Sequence, residues 1–434
     1  MKKIILSFAV ALSFIACNKN DISYNPQDAA NAKFEAEFVK TFGKIDQTHT
    51  WGFDESIKVF DFTQAFTRGH NVNGNLWYQQ WERPVNVTES EKTKVVAEFS
   101  KVRDGATHTI NLPWENYWVQ QVHQGTNYSV DGTGTKVYPK DVMNQLIAYN
   151  FNNNEYEHVN NFNNANDTTE YTDDVTHEKF IGTTLMIDMG TGDVANQFGY
   201  HNTSSSDYYY DYIVLEIDGA YYVGFDIVGY HPVGQDANAN MDVDRDWIFN
   251  DWIVKISPAK FNMKGAKRII AEDLGATTSD FDYNDVVFDA KIANESVEVS
   301  QYNYQNKLVA YIVLQAAGGT LPLTVGGKEV HEAFGVSTST MVNTGIVSKS
   351  PVSFKVILGD ADWNISGADA IKKIPVIVKN GSSIIELEVE TGKAPEKIAV
   401  STSFEWCGER IPIYKVYPKF KDWVNDKSVK WENN

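Results

Sequence analysis

The sequence predicts a mainly β fold: β-sandwich-like domains with an N-terminal helix and few additional helices. From Trp51 onward, aromatic and β-branched runs alternate with Gly, Asn and Asp, which is typical of short strands joined by turns. Hairpin signals recur at Asp131-Gly132, Asp218-Gly219 and Asn380-Gly381. At the last of these, residues 374–379 meet residues 382–389 across two residues suited to a type I′ turn.

The N-terminus has the features of a bacterial lipoprotein signal. Two lysines precede an apolar run over residues 4–15, which is too short to span a bilayer as a mature helix. Ala16 and Cys17 follow at once, so we expect a signal peptide over residues 1–17 and a lipidated Cys17 that anchors the protein to a membrane. An ordinary cleaved signal is the alternative. Asn18 favours onward transport to the outer membrane, on its cell-surface or periplasmic face.

Residues 18–53 are expected to form a polar tether followed by a docking helix. Asn25 is suited to cap this helix and Pro26 to begin it. Gly43 provides its stop. Apolar side chains recur at every fourth position and form one stripe, made of Ala30, Phe34, Phe38 and Phe42. A second helix is expected over residues 90–103.

The length and charge of the chain limit its organisation and its partners. A chain of 434 residues exceeds what one core usually serves, so we expect a β-rich middle domain over residues 54–295 and a C-terminal β domain over 296–434. The net charge is −19, and this negative field disfavours nucleic acid and anionic lipid as partners. With Cys17 lipidated, only Cys407 remains in the sequence, so no intramolecular disulfide is available.

Two apolar strands between residues 221 and 293 each run into a loop rich in carboxylates and amides. Both follow one scheme: strand, carboxylate, loop, Asp-x-Asp, Asn-Asp, strand. The candidate ligands of the first acidic loop (226–251) are Asp226, Asp242, Asp244, Asp246, Asn250 and Asp251. Those of the second acidic loop (272–285) are Glu272, Asp273, Asp280, Asp282, Asn284 and Asp285.

Oxygen ligands at alternate positions suit a hard cation, so these loops predict structural calcium sites. Neither loop is an EF-hand, because the glycine and the bidentate glutamate of that motif are missing. Asx-turns that cap the strand ends are the alternative. Crowded carboxylates repel one another, however, unless a cation or an arginine neutralises them.

No catalytic residues are predicted. Several Asp residues are available for a two-carboxylate hydrolase, but no His, Ser or Lys stands in an activating pattern beside them, so a hydrolase is the weakest hypothesis. The 11 tryptophans offer surfaces for stacking on sugar rings, although core packing is the favoured role for most of them. The tryptophans considered for glycan binding are Trp77, Trp81, Trp114 and Trp118.

Three stretches in the second half of the chain carry a family resemblance. They are 272–274 with 280–289; 313–323 with 329–332 and 341–345; and 404–406 with 409–410 and 417–423. Together they resemble the LruC-type envelope lipoproteins of Bacteroidota-like bacteria, a family with a C-terminal domain of unknown function. The resemblance spans about 221–425, and the core over 281–285 is also similar to that of secreted β-domains associated with calcium. It implies a β-rich surface or periplasmic lipoprotein.

The function expected from these observations is that of a non-catalytic, lipid-anchored envelope protein. Calcium is expected to stabilise it, and its role is expected to be adhesive or ligand-binding toward a glycan or another surface ligand. A glycan-binding component of a nutrient-capture system is the alternative.

Overall fold

The structure, a computed structural model, describes most of the second half of the chain and separate segments of the first half. The described residues are 26–63, 81–82, 85–103, 111–112, 116–124, 128–130, 135–137, 170–172, 179–181, 184–188, 192–193, 206–232, 247–258, 260–274, 279–300 and 303–432. The signal sequence and Cys17 lie outside these residues. Within them, no helix combines the length and the apolar character needed to cross a bilayer.

Helices are few and mostly short. They are α1 (Pro26–Phe42), α2 (Glu89–Phe99), α3 (Val330–Ala333), α4 (Gly367–Lys372), α5 (Ile413–Val416) and α6 (Phe420–Asn425). The strands of the first half are β1 (Val59–Phe62), β2 (Asn111–Leu112), β3 (Asn116–Gln124), β4 (Tyr128–Val130), β5 (Thr135–Val137), β6 (Glu170–Thr172), β7 (Lys179–Ile181), β8 (Thr184–Asp188), β9 (Gly192–Asp193) and β10 (Ser206–Ile217). The remaining strands are β11 (Ala220–Pro232), β12 (Trp252–Pro258), β13 (Lys267–Ala271), β14 (Val286–Ser300), β15 (Asn303–Ala316), β16 (Leu323–Val325), β17 (Lys328–Glu329), β18 (Val352–Asp360), β19 (Val376–Asn380), β20 (Ser383–Glu386) and β21 (Lys397–Val400).

The largest sheet has six strands, and β14 runs through its middle. Its order is β18-β15-β14-β13-β21, with β1 also paired to β14. The first part of β14 pairs antiparallel with β13, and its later residues Ile292–Glu295 pair in parallel with Val59–Phe62 of β1. Strand β1 therefore continues the line of β13 along the same side of β14. Buried Ile269, Val287 and Ile312 belong to the main core beneath this sheet.

A second sheet has five antiparallel strands in the order β10-β11-β12-β3-β8, and a third has four in the order β17-β16-β19-β20. Helix α2 packs Val95 and Phe99 into the core of the five-stranded sheet. Three further pairs of strands are β2 with β9, β4 with β5, and β6 with β7.

The mainly β prediction is confirmed. β4 and β5 pair on either side of Asp131-Gly132, and these two residues lie outside the described part of the chain. Asp218 and Gly219 both have positive φ and join β10 to β11 in a two-residue turn. The hairpin near Asn380 also forms, but Asn380 pairs with Ser383, so the turn lies one residue later than predicted. Helix α2 ends at Phe99 rather than near residue 103, and Val102 is exposed.

The expected domain boundary at 295/296 lies inside β14. This strand pairs with β13 and β1 on one side and with β15 on the other. The six-stranded sheet is thus assembled from residues on both sides of that boundary.

Helix α1 docks against the main core through the predicted stripe. Phe34, Phe38 and Phe42 are each at most 5% exposed, and Ala30 is partly buried, so the aromatic part of the stripe lies in the core. The ring of Phe38 lies 5.8 Å from that of Trp51 and 5.8 Å from that of Phe281. Aromatic pairs at such separations contribute stability beyond that of the buried area, so these contacts hold the helix against the core.

Replacing Phe38 with alanine should destabilise the protein by about 3–5 kcal/mol, because a fully buried ring is removed and leaves a cavity. The free energy of unfolding in urea measures this effect. Val39→Ala on the same helix is the matched control, since Val39 is 42% exposed and its loss should change stability by less than about 0.5 kcal/mol. Equal losses in the two variants would contradict the docking of α1 through its aromatic stripe.

Candidate metal centre

The second acidic loop closes the hairpin between β13 and β14. The last pair of this hairpin joins Ala271 to Val286, and the loop between them is described at 272–274 and 279–285. The Glu272 backbone N–H donates to the carbonyl of Glu396, 3.0 Å away, which continues the contact between β13 and the segment leading into β21. A sheet therefore fixes both ends of the loop.

The backbone of this loop alternates its conformation. Phe281 and Tyr283 have φ of 55° and 53°, in the left-handed region that bulky residues rarely adopt. Each such residue costs about 1–3 kcal/mol, which the surrounding contacts must offset. The two rings enter the core, where they are 5% and 0% exposed. The carboxylates of Asp280 and Asp282, which alternate with these rings, meet Glu272.

Glu272, Asp280 and Asp282 form the carboxylate trio, in which one oxygen of each residue lies within 4.8 Å of the others. Glu272 is 3% exposed and Asp282 2% exposed. The Glu272 carboxylate accepts hydrogen bonds from the Ser279 hydroxyl at 2.7 Å and the Tyr283 N–H at 2.8 Å. These bonds orient the trio but bring no positive charge to it.

Asp282 is held in the same way, by backbone donors. Its carboxylate accepts from the N–H of Asn284 at 3.2 Å and from the N–H of Arg410 at 2.7 Å. Across the described part of the chain, no Lys or Arg side chain forms an ion pair with a member of the carboxylate trio. The trio therefore needs another source of positive charge if all three groups are to be ionised.

Burial and mutual repulsion disfavour the charged forms of these carboxyls. Burial raises the pKa of Glu272 well above its ordinary value, and the charge of Asp282 adds to this effect. The pKa of Asp282 is raised to about 7, first by burial and then by Asp280. Burial also raises the pKa of Asp280, although the guanidinium of Arg410 opposes the rise. A bound cation would reverse this balance, because it stabilises the ionised carboxylates.

The remaining predicted ligands of this loop lie beside the trio and have other partners. The Asp273 N–H donates to the Asp285 carboxylate at 2.7 Å, and burial together with Asp273 raises the pKa of Asp285 well above its ordinary value. The Asn284 amide donates to the carbonyl of Cys407 at 3.1 Å. Its Oδ1 atom is buried and has no hydrogen-bond partner among the described residues. The alternate spacing therefore brings together Asp280 and Asp282, while Asn284 contacts a neighbouring segment.

A cleft of about 170 Å³ lies between α1 and the second acidic loop. Its walls include two members of the trio, Glu272 and Asp280. Sequence reasoning did not assign several other lining residues to the site; they are Lys33, Glu37, Gly318, Gly319, Glu409 and Arg410. One oxygen of Glu409 is buried without a hydrogen-bond partner in the described structure.

The second and third stretches that carried the family resemblance contact the second acidic loop, which lies in the first stretch. From the second stretch, the Gly318 N–H donates to the carbonyl of Asn284 at 3.0 Å. From the third, the Arg410 N–H donates to the Asp282 carboxylate at 2.7 Å. Ile413, which lies between the parts of the third stretch, donates its N–H to the carbonyl of Phe281 at 2.8 Å. Gly318 and Arg410 both lie in these stretches. The occurrence of the stretches together, in order along the chain, was the sequence signal that could have placed the two residues in the predicted site.

The described candidate ligands of the first acidic loop lie on or beside the five-stranded sheet. Asp226 lies on β11 and is 3% exposed, and the Asp251 N–H donates to the carbonyl of Phe225 at 3.1 Å. The Asn250 amide donates to the Ser100 hydroxyl at 3.1 Å. None of these belongs to the carboxylate trio. The other predicted ligands of this loop lie outside the described residues; they are Asp242, Asp244 and Asp246.

The free cysteine, Cys407, and one of the tryptophans considered for glycan binding, Trp81, are both buried. Cys407 is buried, and burial together with the carboxylates of Asp282 and Glu272 raises the pKa of its thiol to about 12, so the reactive thiolate is disfavoured. Trp81 is 6% exposed and packs on Phe261, with 5.0 Å between the rings, so its face is not open to a sugar.

Comparisons with known proteins identify no family. No family model and no curated protein matches the chain. Among solved structures, a Bacteroides ovatus protein named as a lipoprotein aligns over 54% of this chain and 92% of its own. The two share 13% identity with a TM-score of 0.27. This likeness is too distant to support an inference about fold or function.

Gly318→Ala should destabilise the protein by about 1–3 kcal/mol through overpacking. A Cβ atom at this position would lie 2.0 Å from Asn284 Oδ1 and 2.7 Å from the Asn284 carbonyl oxygen, so the second acidic loop would have to shift. Thermal or urea unfolding measures the loss. Gly345→Ala is the control, because a Cβ there meets nothing within 4 Å. A Gly318→Ala protein as stable as this control would contradict the close packing of the glycine on the loop.

Proposed function

We propose that this chain is a non-catalytic, lipid-anchored envelope protein whose second acidic loop is stabilised by calcium, with an adhesive or ligand-binding role. The observation that carries the metal part is the carboxylate trio, with three ligand oxygens within 4.8 Å and no ion-pair partner among the described residues. Glu272, Asp280 and Asp282 would hold the ion. Further predicted ligands, Asp273 and Asp285, stand beside them.

The donor set favours a hard divalent cation. All three side chains offer carboxylate oxygens, which suit calcium or magnesium better than the softer metals that prefer sulfur or imidazole. Calcium tolerates irregular coordination, whereas magnesium demands near-octahedral geometry. Backbone N–H groups already fix the directions of these carboxylates, so the loop is less able to adjust to the strict geometry of magnesium. Calcium therefore fits the loop better. The ion would supply the positive charge that buried Glu272 and Asp282 lack.

The burial of the trio supports a structural role rather than catalysis. A general acid or base must come within hydrogen-bond reach of its substrate. Glu272 and Asp282 are at least 97% buried and accept hydrogen bonds from the protein's own backbone, so they are poorly placed to reach a glycan chain. The proposal therefore assigns no hydrolase activity to this site.

The lipoprotein part of the proposal is supported by the N-terminal sequence. The basic start, the short apolar run and Cys17 favour a lipid anchor, and Asn18 favours the outer membrane. Membership of the LruC-type lipoproteins belongs to the same proposal and is supported by three stretches in order along the chain, of which the first contains the second acidic loop and the other two contact it. An adhesive role and glycan capture both remain proposals for the ligand-binding activity.

The charge of Asp280 gives a test of the metal site. Asp280→Asn removes one repelling charge, so at neutral pH in EDTA its melting temperature should exceed that of the wild-type protein. In calcium the order should reverse, because the wild-type protein gains the stabilisation of a bound ion and the variant loses a ligand. Differential scanning calorimetry with and without calcium measures both effects, and isothermal titration calorimetry measures the affinity.

Asp422→Asn is the matched control, because Asp422 is an exposed carboxylate on α6, outside the trio. It should leave the calcium response unchanged. If wild-type protein gave neither heat of binding nor a rise in melting temperature with calcium, the metal part of the proposal would be wrong. A lower melting temperature of Asp280→Asn in EDTA would contradict the repulsion within the trio.

Cys17→Ser should release the protein from the membrane fraction, since the thiol is the acceptor of the lipid anchor. Fractionation followed by mass spectrometry of the mature N-terminus measures this. The matched control is Cys407→Ser, which keeps Cys17 and should stay membrane-bound. A Cys17→Ser protein that remains in the membrane fraction would rule out anchoring through this residue.

A further inference from the structure

Helix α1 contacts the second acidic loop through its polar side as well as its aromatic stripe. The Glu37 carboxylate accepts a hydrogen bond from the backbone N–H of Ser279 at 3.1 Å. Ser279 in turn donates its hydroxyl to Glu272 at 2.7 Å. Two hydrogen bonds through Ser279 therefore link the helix to Glu272, a buried member of the carboxylate trio.

The aromatic stripe holds the loop at a second point. Phe281 lies between Asp280 and Asp282 in the sequence and has a positive φ of 55°. Its ring lies 5.7 Å from that of Phe34 and 5.2 Å from that of Phe42. The helix thus covers the one residue whose strained backbone sets the relative direction of the two aspartates.

Resting on the proposed cation site, we propose that docking of α1 and occupancy of the carboxylate trio are coupled, with α1 acting as a strap that orders the loop. Undocking α1 would remove the packing that offsets the strain at Phe281 and would free Ser279 from Glu37. The trio would then lose the geometry in which its oxygens converge. Coupling between two such events is reciprocal, so an ion bound to the trio must also tighten the docking of α1.

The strap lies close in the chain to the proposed lipid anchor, so a pull on the anchor would reach α1 first. Eight residues, 18–25, separate the proposed lipid anchor at Cys17 from the first residue of α1. Even fully extended, eight residues reach only about 29 Å. Tension on the tether would therefore act directly on α1, and cation binding would resist it.

Proteolysis of α1 in the full mature chain tests the coupling. Lys33 and Lys40 are exposed on the helix, and cleavage after them requires the helix to open, so the cleavage rate reports undocking. In wild-type protein, calcium should slow this cleavage about five-fold or more. Glu37→Ala, which removes the acceptor for the Ser279 N–H, should lose most of that protection.

Glu35→Ala is the matched control. Glu35 lies on the same helix and accepts a backbone hydrogen bond from Ala394 at 2.6 Å, away from the second acidic loop. This variant should open more readily without calcium and yet keep the full protection by calcium. Hydrogen exchange of the α1 amides should give the same ranking of the three proteins.

The outcomes separate this inference from the proposed function. If calcium binds wild-type protein and raises its melting temperature without slowing α1 cleavage, the coupling is wrong and the calcium site stands. Protection of Glu37→Ala as strong as that of wild-type protein would also overturn the coupling through Glu37. If calcium gives neither heat nor a rise in melting temperature, the calcium site is wrong and the coupling fails with it.

Discussion

Repulsion among buried carboxylates at the end of the β13–β14 hairpin is the constraint on which the rest of this site depends. Glu272 and Asp282 are almost fully buried, with one oxygen of each within 4.8 Å of an oxygen of Asp280. The described residues provide hydrogen bonds to them but no ion pair. Burying an isolated charge costs far more free energy than one buried hydrogen bond contributes. The surrounding segments therefore act as a frame that keeps mutually repelling groups together.

That frame explains why so much of the chain converges on one loop. The left-handed residues Phe281 and Tyr283 together cost about 2–6 kcal/mol, by the usual range for such conformations. Fully burying a single aromatic side chain contributes about 1.5–3 kcal/mol, and close ring pairs add about 0.5–1.5 kcal/mol. The free energy gained by packing the rings of α1 on Phe281 is thus large enough to offset the backbone strain. The same contacts make the helix part of the site.

Local patterns were enough to predict the elements but not the assembly. The stripe of α1 and the turn at Asp218 follow from spacings of a few residues, and both are observed. The contact of Arg410 with Asp282 spans 128 residues and has no local signal. Alternate spacing indicated that Asn284 would join Asp280 and Asp282, but the positive φ values turn the chain so that its amide reaches Cys407 instead.

Strand β21 lies at the edge of the six-stranded sheet, although it comes from near the end of the chain. Its residue Ile398 pairs with Ile270, so about 130 residues of chain must be closed before the hairpin that carries the acidic loop gains its second neighbour. Contacts between residues so far apart in the sequence form slowly, and these contacts require residues 397–400. The sheet that fixes the ends of the second acidic loop is therefore complete only once residues 397–400 have been synthesised and have paired with β13.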